Sequence, residues 1–321
     1  MQIKISNKYH LIVEEDSRAM TQIDPVFLFN DIHYLSCWQN KLISFYIKNS
    51  HTGKITGLIH FHLDMNVAWS PLQAPFASLY FIEDIKFEII RKFVRLMISY
   101  LEDQGISTIC LKHYPDFYSI HPPDKLITAL LFEGFQIRQT DINHFLKIND
   151  HSFESMAHTM QQRRIRKCTK LGYKFCHHSN NDLEIVFRKI REFRIQKNIP
   201  INIELNTLNH FMKRFPNHYR LFSVQDQDRI IAATCAVAVN QRTLYNFLPA
   251  SDEKYKMTSP MVYLIKNLFD YAKSNHYSYI DLGVSSIDNQ PQSGLINFKE
   301  NLGGITGIKF QFEKIRTNED A

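Results

Sequence analysis

Near its C-terminus the chain places a carboxylate and an ammonium group among glycines, a combination suited to proton transfer or charge stabilisation. Asp281 lies in Tyr279-Ile280-Asp281-Leu282-Gly283, where a predicted strand reaches a glycine. From a strand end a carboxylate can take a proton from an amine or orient a partner, or it can satisfy turn amides. Lys299 follows Phe298 in Gly294-Leu295-Ile296-Asn297-Phe298-Lys299, and five of the ten glycines lie from Gly283 onward. Backbone freedom or close ligand approach is therefore concentrated there. The bland alternative for Lys299 is a solvated lysine on a short helix.

Anions could be held at two further places. Ser259-Pro260 marks a helix start after a strand, where unpaired N–H groups and the positive helix end favour a phosphate or carboxylate. Ser259 is expected to accept a bond from one of those amides. Lys254 and Lys256 add charge, so Lys256, Met257, Thr258 and Ser259 form a candidate binding turn. Between Ser155 and Asn181 stand Arg163, Arg164, Arg166, Lys167, Lys170 and Lys174 with no acid, which accounts for the whole net charge of +6. Helical spacing gathers Arg163, Arg166, Lys167, Lys170 and Lys174 near one face. That face can be merely solvated, can meet nucleic acid, or can hold a phosphorylated substrate. His60 and His62 share a strand face, but no third metal ligand is identifiable and no metal site is expected.

Regular elements must carry these residues. Leu244, Asn246 and Leu248 alternate with Tyr245 and Phe247 in a strand buried on both faces. Met261, Leu264, Ile265, Leu268 and Ala272 give the following helix an apolar stripe for packing on a sheet. Earlier, Lys41 to Lys48 and Lys54 to Val67 predict a hairpin turning through His51-Thr52-Gly53. Pro71 and Pro75 shape a loop, and a helix through Ile85 to Tyr100 closes at Gly105 before a strand at Ser107 to Lys112. The basic residues are expected on one helix from about Phe153 to Gly172.

Both halves thus run through antiparallel strands, a loop, a long helix and a strand. We expect one α/β (α+β) unit used twice: an N-terminal domain over 1–150 and a C-terminal domain over 151–321. Each would be a mainly antiparallel sheet flanked by helices, with the first and last strands in different sheets. An apolar content of 44% and a charged content of 22% are those of a folded globular protein. No signal-peptide block and no run long enough to span a bilayer is found. The five scattered cysteines form no Cys-x-x-Cys pair, so a cytoplasmic location without disulfides is expected.

The C-terminal half resembles the FemAB-like branch of the GNAT acyltransferase superfamily. Arg163 to Gly172, Tyr245 to Asp252, Tyr279 to Gly283, and Gly294 to Lys299 with Gly303-Gly304 carry the resemblance; in the N-terminal half only the Pro71 to Phe76 loop is similar. The resemblance implies tandem GNAT-like domains that transfer an acyl or aminoacyl group to an amine. It implies that a splayed strand, here Leu244 to Leu248, offers a backbone N–H to the oxyanion; Tyr245 could then protonate a leaving thiolate, its alternative being a strand tyrosine that is simply core. It further implies that Phe298-Lys299 lies at the active site, where a fixed positive charge stabilises an oxyanion or a phosphate. The long helical arm of tRNA-dependent peptidoglycan Fem enzymes has no counterpart, and the glycine-rich pyrophosphate loop is replaced by Lys256-Met257-Thr258-Ser259-Pro260.

The expected catalytic residues are Lys299, Tyr245 and Asp281, with Arg163, Arg166, Lys170 and Phe298 on the substrate. No tightly bound cofactor is expected, and acyl-CoA is the expected co-substrate. The expected acceptor is a small molecule or a cell-envelope precursor, with or without phosphate. Nucleic acid is not expected as a partner, although an aminoacyl-tRNA donor stays open. The competing expectation is a non-catalytic ligand-binding protein that keeps the fold.

Overall fold

The computed structural model describes residues 1–15, 26–287 and 289–316. In chain order the strands of the first half are β1 (Gln2–Lys4), β2 (Tyr9–Glu14), β3 (Lys41–Asn49), β4 (Ile55–Asp64), β5 (Val67–Ser70), β6 (Tyr80–Phe81), β7 (Thr108–Lys112) and β8 (Gln136–Lys147). Its helices are α1 (Ile32–Leu35), α2 (Phe87–Asp103) and α3 (Asp124–Phe132). There follow α4 (Phe153–Met156), α5 (Thr159–Lys170), β9 (Lys174–His178), α6 (Leu183–Ile195), α7 (Leu205–Arg214), β10 (Tyr219–Asp226), β11 (Arg229–Ala238), β12 (Thr243–Asn246) and β13 (Ala250–Ser251). The chain ends with α8 (Pro260–Ser274), β14 (Tyr279–Val284), β15 (Ser286–Ile287), β16 (Gln290–Pro291), α9 (Ser293–Asn301) and β17 (Ile305–Ile315).

Two compact units form, one from Met1–Asp141 with Gly307–Ala321 and one from Ile142–Thr306. In the first, the strand order is β1-β2-β3-β4-β5-β7-β17. The predicted β3–β4 hairpin is present and antiparallel, while β5 and β7 run parallel through Val67↔Thr108 to Ser70↔Leu111. Apolar residues of α2, among them Phe93, Val94, Met97 and Leu101, cover the sheet residues Phe45, Ile59, Phe61 and Leu111. The proline loop is pinned by two ammonium groups: Lys112 donates to Leu72 O at 2.9 Å and Lys309 to Pro75 O at 2.9 Å.

The placement of β17 differs from the sequence expectation. Its residues Gln311–Ile315 pair antiparallel with Lys112–Thr108, so the last strand joins the sheet that begins with β1. The boundary of the second unit correspondingly falls inside β8 and at the start of β17, not at 150/151. Phe312 explains the exchange, because its fully buried ring packs in the core built by α2 and β3. Alternation of Ile308, Phe310 and Phe312 predicts a half-buried strand but carries no information on which sheet it completes.

The second unit orders its strands β8-β14-β12-β11-β10-β9. Here α8 lays Val262, Leu264, Ile265, Leu268, Phe269 and Ala272 against Phe222, Ile231, Ala236 and Ile280, as its apolar stripe requires. The basic segment is not one helix: α4 stops at Met156, and α5 restarts with the His158 side chain accepting the Met160 amide. Gly172, at φ +74°, ends α5 as expected, and this puts Lys174 on β9 rather than on the helical face.

Candidate active site

Within the second unit, β12 has an antiparallel neighbour, β11, and a parallel neighbour, β14. The parallel ladder covers only Thr243↔Tyr279, Leu244↔Ile280 and Tyr245↔Asp281. Beyond that pair the strands part. The Phe247 and Leu248 amides both turn to Cys235 O at 3.1 Å, while β14 continues along β8 through Gly283↔His144 and Val284↔Asn143. The register shifts between Asp281 and Gly283, and Gly283 has φ +73°, a conformation that other residues adopt only with strain. The sequence Asp-Leu-Gly therefore writes a bulge inside β14, not the end of a strand.

Asp281 is 1% exposed. Its Oδ1 accepts from Asn143 Nδ2 at 2.9 Å and from the Gly283 amide at 2.7 Å, which ties β8 to the bulge. Lys299 is the buried residue of α9 and is 6% exposed, so it is not a solvated helix lysine. Its ammonium donates to Gly283 O at 2.7 Å and Val284 O at 2.8 Å. Burial lowers its pKa from the ordinary lysine value to about 8, against the opposing pull of Asp281. At neutral pH the group keeps its charge, and one of its three N–H groups has no protein partner among the described residues.

Tyr245 stands at the last parallel pair with its ring over Gly283, where a Cβ would meet Cε2 at 3.4 Å and the hydroxyl at 3.6 Å. Burial and then the Asp281 charge raise its pKa, while Arg194 of α6 pulls the other way. Its hydroxyl stays protonated at any physiological pH and has no hydrogen-bond partner among the described residues.

Other polar groups complete the cluster. His144, fully buried, has Nδ1 2.9 Å from Ser285 Oγ, while its Nε2 lacks a partner. Burial and the Lys299 charge hold its pKa down to about 4, so the ring is neutral. Arg194 donates from Nη1 to Pro200 O at 2.9 Å, and its buried Nε is unpaired. Gly304 closes the floor: its amide donates to Lys299 O at 3.0 Å, and a Cβ there would lie 2.6 Å from that oxygen. Asn143, His144, Ser285 and Arg194 were not singled out from sequence as site residues. The one available signal was Asn143-His144 placed next to Phe145 and Leu146, polar residues beside the apolar end of β8.

The remaining candidates lie elsewhere in the unit. Thr258 and Ser259 both donate their amides to Tyr255 O, so the turn is closed on itself. Ser259 does not cap α8. At φ +53° its hydroxyl instead donates to Lys256 O at 3.1 Å. Lys256 pairs with Glu253 at 3.5 Å, and the Met257 side chain is 77% exposed. Arg163, Arg166 and Lys170 are exposed on α5, where Arg166, Lys170, Thr169, Glu154 and Lys266 line an open depression. Phe298, next to Lys299, packs half-buried on the core.

Two histidine arrangements lie on strands away from this cluster. His60 and His62 are buried in the first unit's sheet, bonded to Ser44 Oγ and Leu35 O, and among the described residues no group of three or more His, Cys, Asp or Glu could hold a metal. His178 lies 2.7 Å from Ser223 Oγ and 3.8 Å from Asp182, but Ser223 is fully buried, beyond the reach of a substrate. No described helix is long and apolar enough to cross a membrane.

Comparison with known proteins bears on the fold. Residues 158–293 match the family described as acetyltransferase (GNAT) domain. No curated protein matches the sequence. Among solved structures, FemX is similar with a TM-score of 0.64 at 12% identity, over 87% of this chain and 88% of that one. L-PGS from Bacillus licheniformis gives 0.54 at 13% over 87% and 85%, and a tandem GNAT protein from the clavulanic acid biosynthesis pathway gives 0.52 at 8% over 86% and 83%. Residues 158–293 thus match a GNAT acetyltransferase domain, and the chain shares its fold with FemX and with the tandem GNAT protein.

Proposed function

We propose that the protein is an acyltransferase that moves an acyl or aminoacyl group from an activated donor to an amine. The opening between β12 and β14 is the proposed site. The observation that carries this reading is the buried, charged Lys299, held by the Gly283 and Val284 carbonyls at the point where the parallel strands part.

In the proposed reaction the amine nitrogen attacks the donor carbonyl carbon, forming the C–N bond as the C–S or C–O bond of the donor breaks. The free N–H of Lys299 meets the negative charge that develops on the carbonyl oxygen. A backbone amide of Phe247 or Leu248 would have to leave Cys235 O to share that task, so the ammonium is the better-placed donor. Tyr245 passes its proton to the leaving group. Asp281, with Oδ1 already accepting two N–H bonds, keeps Lys299 charged and the bulge in place rather than taking the amine proton. The excess proton of the amine goes to solvent, from which Tyr245 regains its own.

The proposed donor is acyl-CoA, with Lys256 and the turn to Ser259 beside its phosphates. Arg163, Arg166 and Lys170 are proposed contacts for a phosphate-bearing partner. One observation favours the second reading, a non-catalytic binding protein: the turn before α8 spends the Thr258 and Ser259 amides on its own Tyr255 carbonyl. Incubation with a panel of acyl-CoAs and amines, followed by mass spectrometry of the products, separates the two. A new amide supports the first, and tight acyl-CoA binding without turnover supports the second.

A further inference from the structure

Helix α5 exposes a stripe that soluble phosphate alone does not explain. Met160, Arg164, Lys167 and Leu171 recur at i, i+4, i+7 and i+11, flanked by Arg163, Arg166 and Lys170, while Gln161, Ile165 and Cys168 are buried on the opposite side. None of these cations is within ion-pair distance of an acid among the described residues; Glu154, at the rim, faces Lys266 at 4.0 Å. Met160 is 54% and Leu171 49% exposed. The turn before α8 packs against the C-terminal half of α5, where Cys168 Sγ donates to Thr258 O at 3.2 Å and the Tyr173 hydroxyl to Thr258 Oγ1 at 3.3 Å. Met257 and Lys256, next to Thr258, therefore stand beside the C-terminal end of α5, and Met257 is 77% exposed.

We propose that this face docks the protein on an anionic lipid bilayer, with Met160, Leu171 and Met257 entering the headgroup boundary and the cations meeting lipid phosphates. Charge complementarity requires an extended anionic surface, since an array of unpaired cations repels itself until it is matched. Three exposed large apolar side chains beside those cations gain from an apolar cover. A bilayer interface supplies both. Ribonucleic acid supplies only the first: single strands bind through base stacking on aromatic side chains, and the aromatic residue closing α5, Tyr173, is only 7% exposed. This docking does not rest on acyl transfer.

Co-sedimentation of the full chain with vesicles tests it, using phosphatidylglycerol mixed with phosphatidylcholine against phosphatidylcholine alone. Binding is expected only with the anionic lipid, weakened but not abolished by salt. R163Q/R166Q/K170Q should lower the partition by about 10²-fold, roughly fivefold per cation. M160S/L171S/M257S should keep the salt-sensitive part and lose the salt-resistant part. Because every substituted side chain is exposed, thermal unfolding of both variants should match the wild type, which separates lost docking from lost folding. Absence of pelleting, equal pelleting on neutral vesicles, full displacement by inorganic phosphate, or binding of a single-stranded RNA that the M160S/L171S/M257S variant retains while vesicles do not bind would each overturn the proposal.

Discussion

The ammonium of Lys299 lies 2.7 Å from the carbonyl oxygen of Gly283, the residue whose left-handed backbone makes the bulge in β14. One side chain thus fixes the local shape of the opening and supplies its positive charge. Lys299→Met, which keeps much of the volume, should remove the ammonium donor from both carbonyls and destabilise the fold by about 1–3 kcal/mol. Lys299→Ala should lower turnover by roughly 10²-fold or more with little change in donor affinity. Thermal unfolding and steady-state kinetics check the two effects, and a loss of affinity with turnover intact would make Lys299 a phosphate ligand.

Protonation of Lys299 sets a pH limit. With its native pKa near 8, the rate should fall as pH rises through about 8, because the charge that stabilises the oxyanion is lost. Stability responds in the opposite sense. Between about 8 and the ordinary value of 10.5, the unfolded chain keeps a proton that the native state has released, so this group adds stability as pH rises through that window. Below about 8 both states are protonated and its contribution is flat. Rate and melting profiles over pH 6–11, read at roughly half-unit steps, check both signs.

Asp281→Asn couples to that limit. Asp281 raises the proton affinity of Lys299, so removing its charge should move the alkaline fall in rate to lower pH. An unchanged pH limb with reduced rate would make Asp281 a purely structural acceptor for Asn143 and Gly283.

Tyr245→Phe removes the proposed acid while keeping the ring over Gly283. Turnover with a poor leaving group should drop by about 10²-fold, since general-acid help is worth that order. The melting temperature should barely move, because the hydroxyl has no protein partner to lose. Kinetics with donors of graded leaving-group acidity distinguish this from a mere packing role.

Gly304→Ala tests the floor of the site. Its new Cβ would stand 2.6 Å from the Lys299 carbonyl oxygen, a backbone atom that cannot rotate away, so overpacking should cost about 1–3 kcal/mol and displace α9. Denaturant unfolding measures the first effect. Loss of the alkaline pH limb would report the second.

Much of the second unit was legible in the sequence because its signals are local. The apolar stripe of Met261 to Ala272, the stop at Gly172, and the strands around Tyr245 and Asp281 need only periodicity and backbone preference. The same local reasoning named Lys299 and Asp281, but it left a solvated helix face open for the first and set the second at a strand end rather than in a bulge. Burial of Lys299 follows from α9 packing back on β14, and the Asp281 bonds need Asn143 from a strand far earlier in the chain. His144, Ser285 and Arg194 gather for the same reason, through pairing of β8 with β14 and the packing of α6, contacts between segments whose separation leaves no trace in spacing. The sequence by itself determined the elements, the charge of α5 and the glycine that bends β14. Only the tertiary structure decided that β17 pairs with β7 and that a lysine would be desolvated beside a carboxylate, because strand pairing and burial depend on which distant apolar faces close on one another.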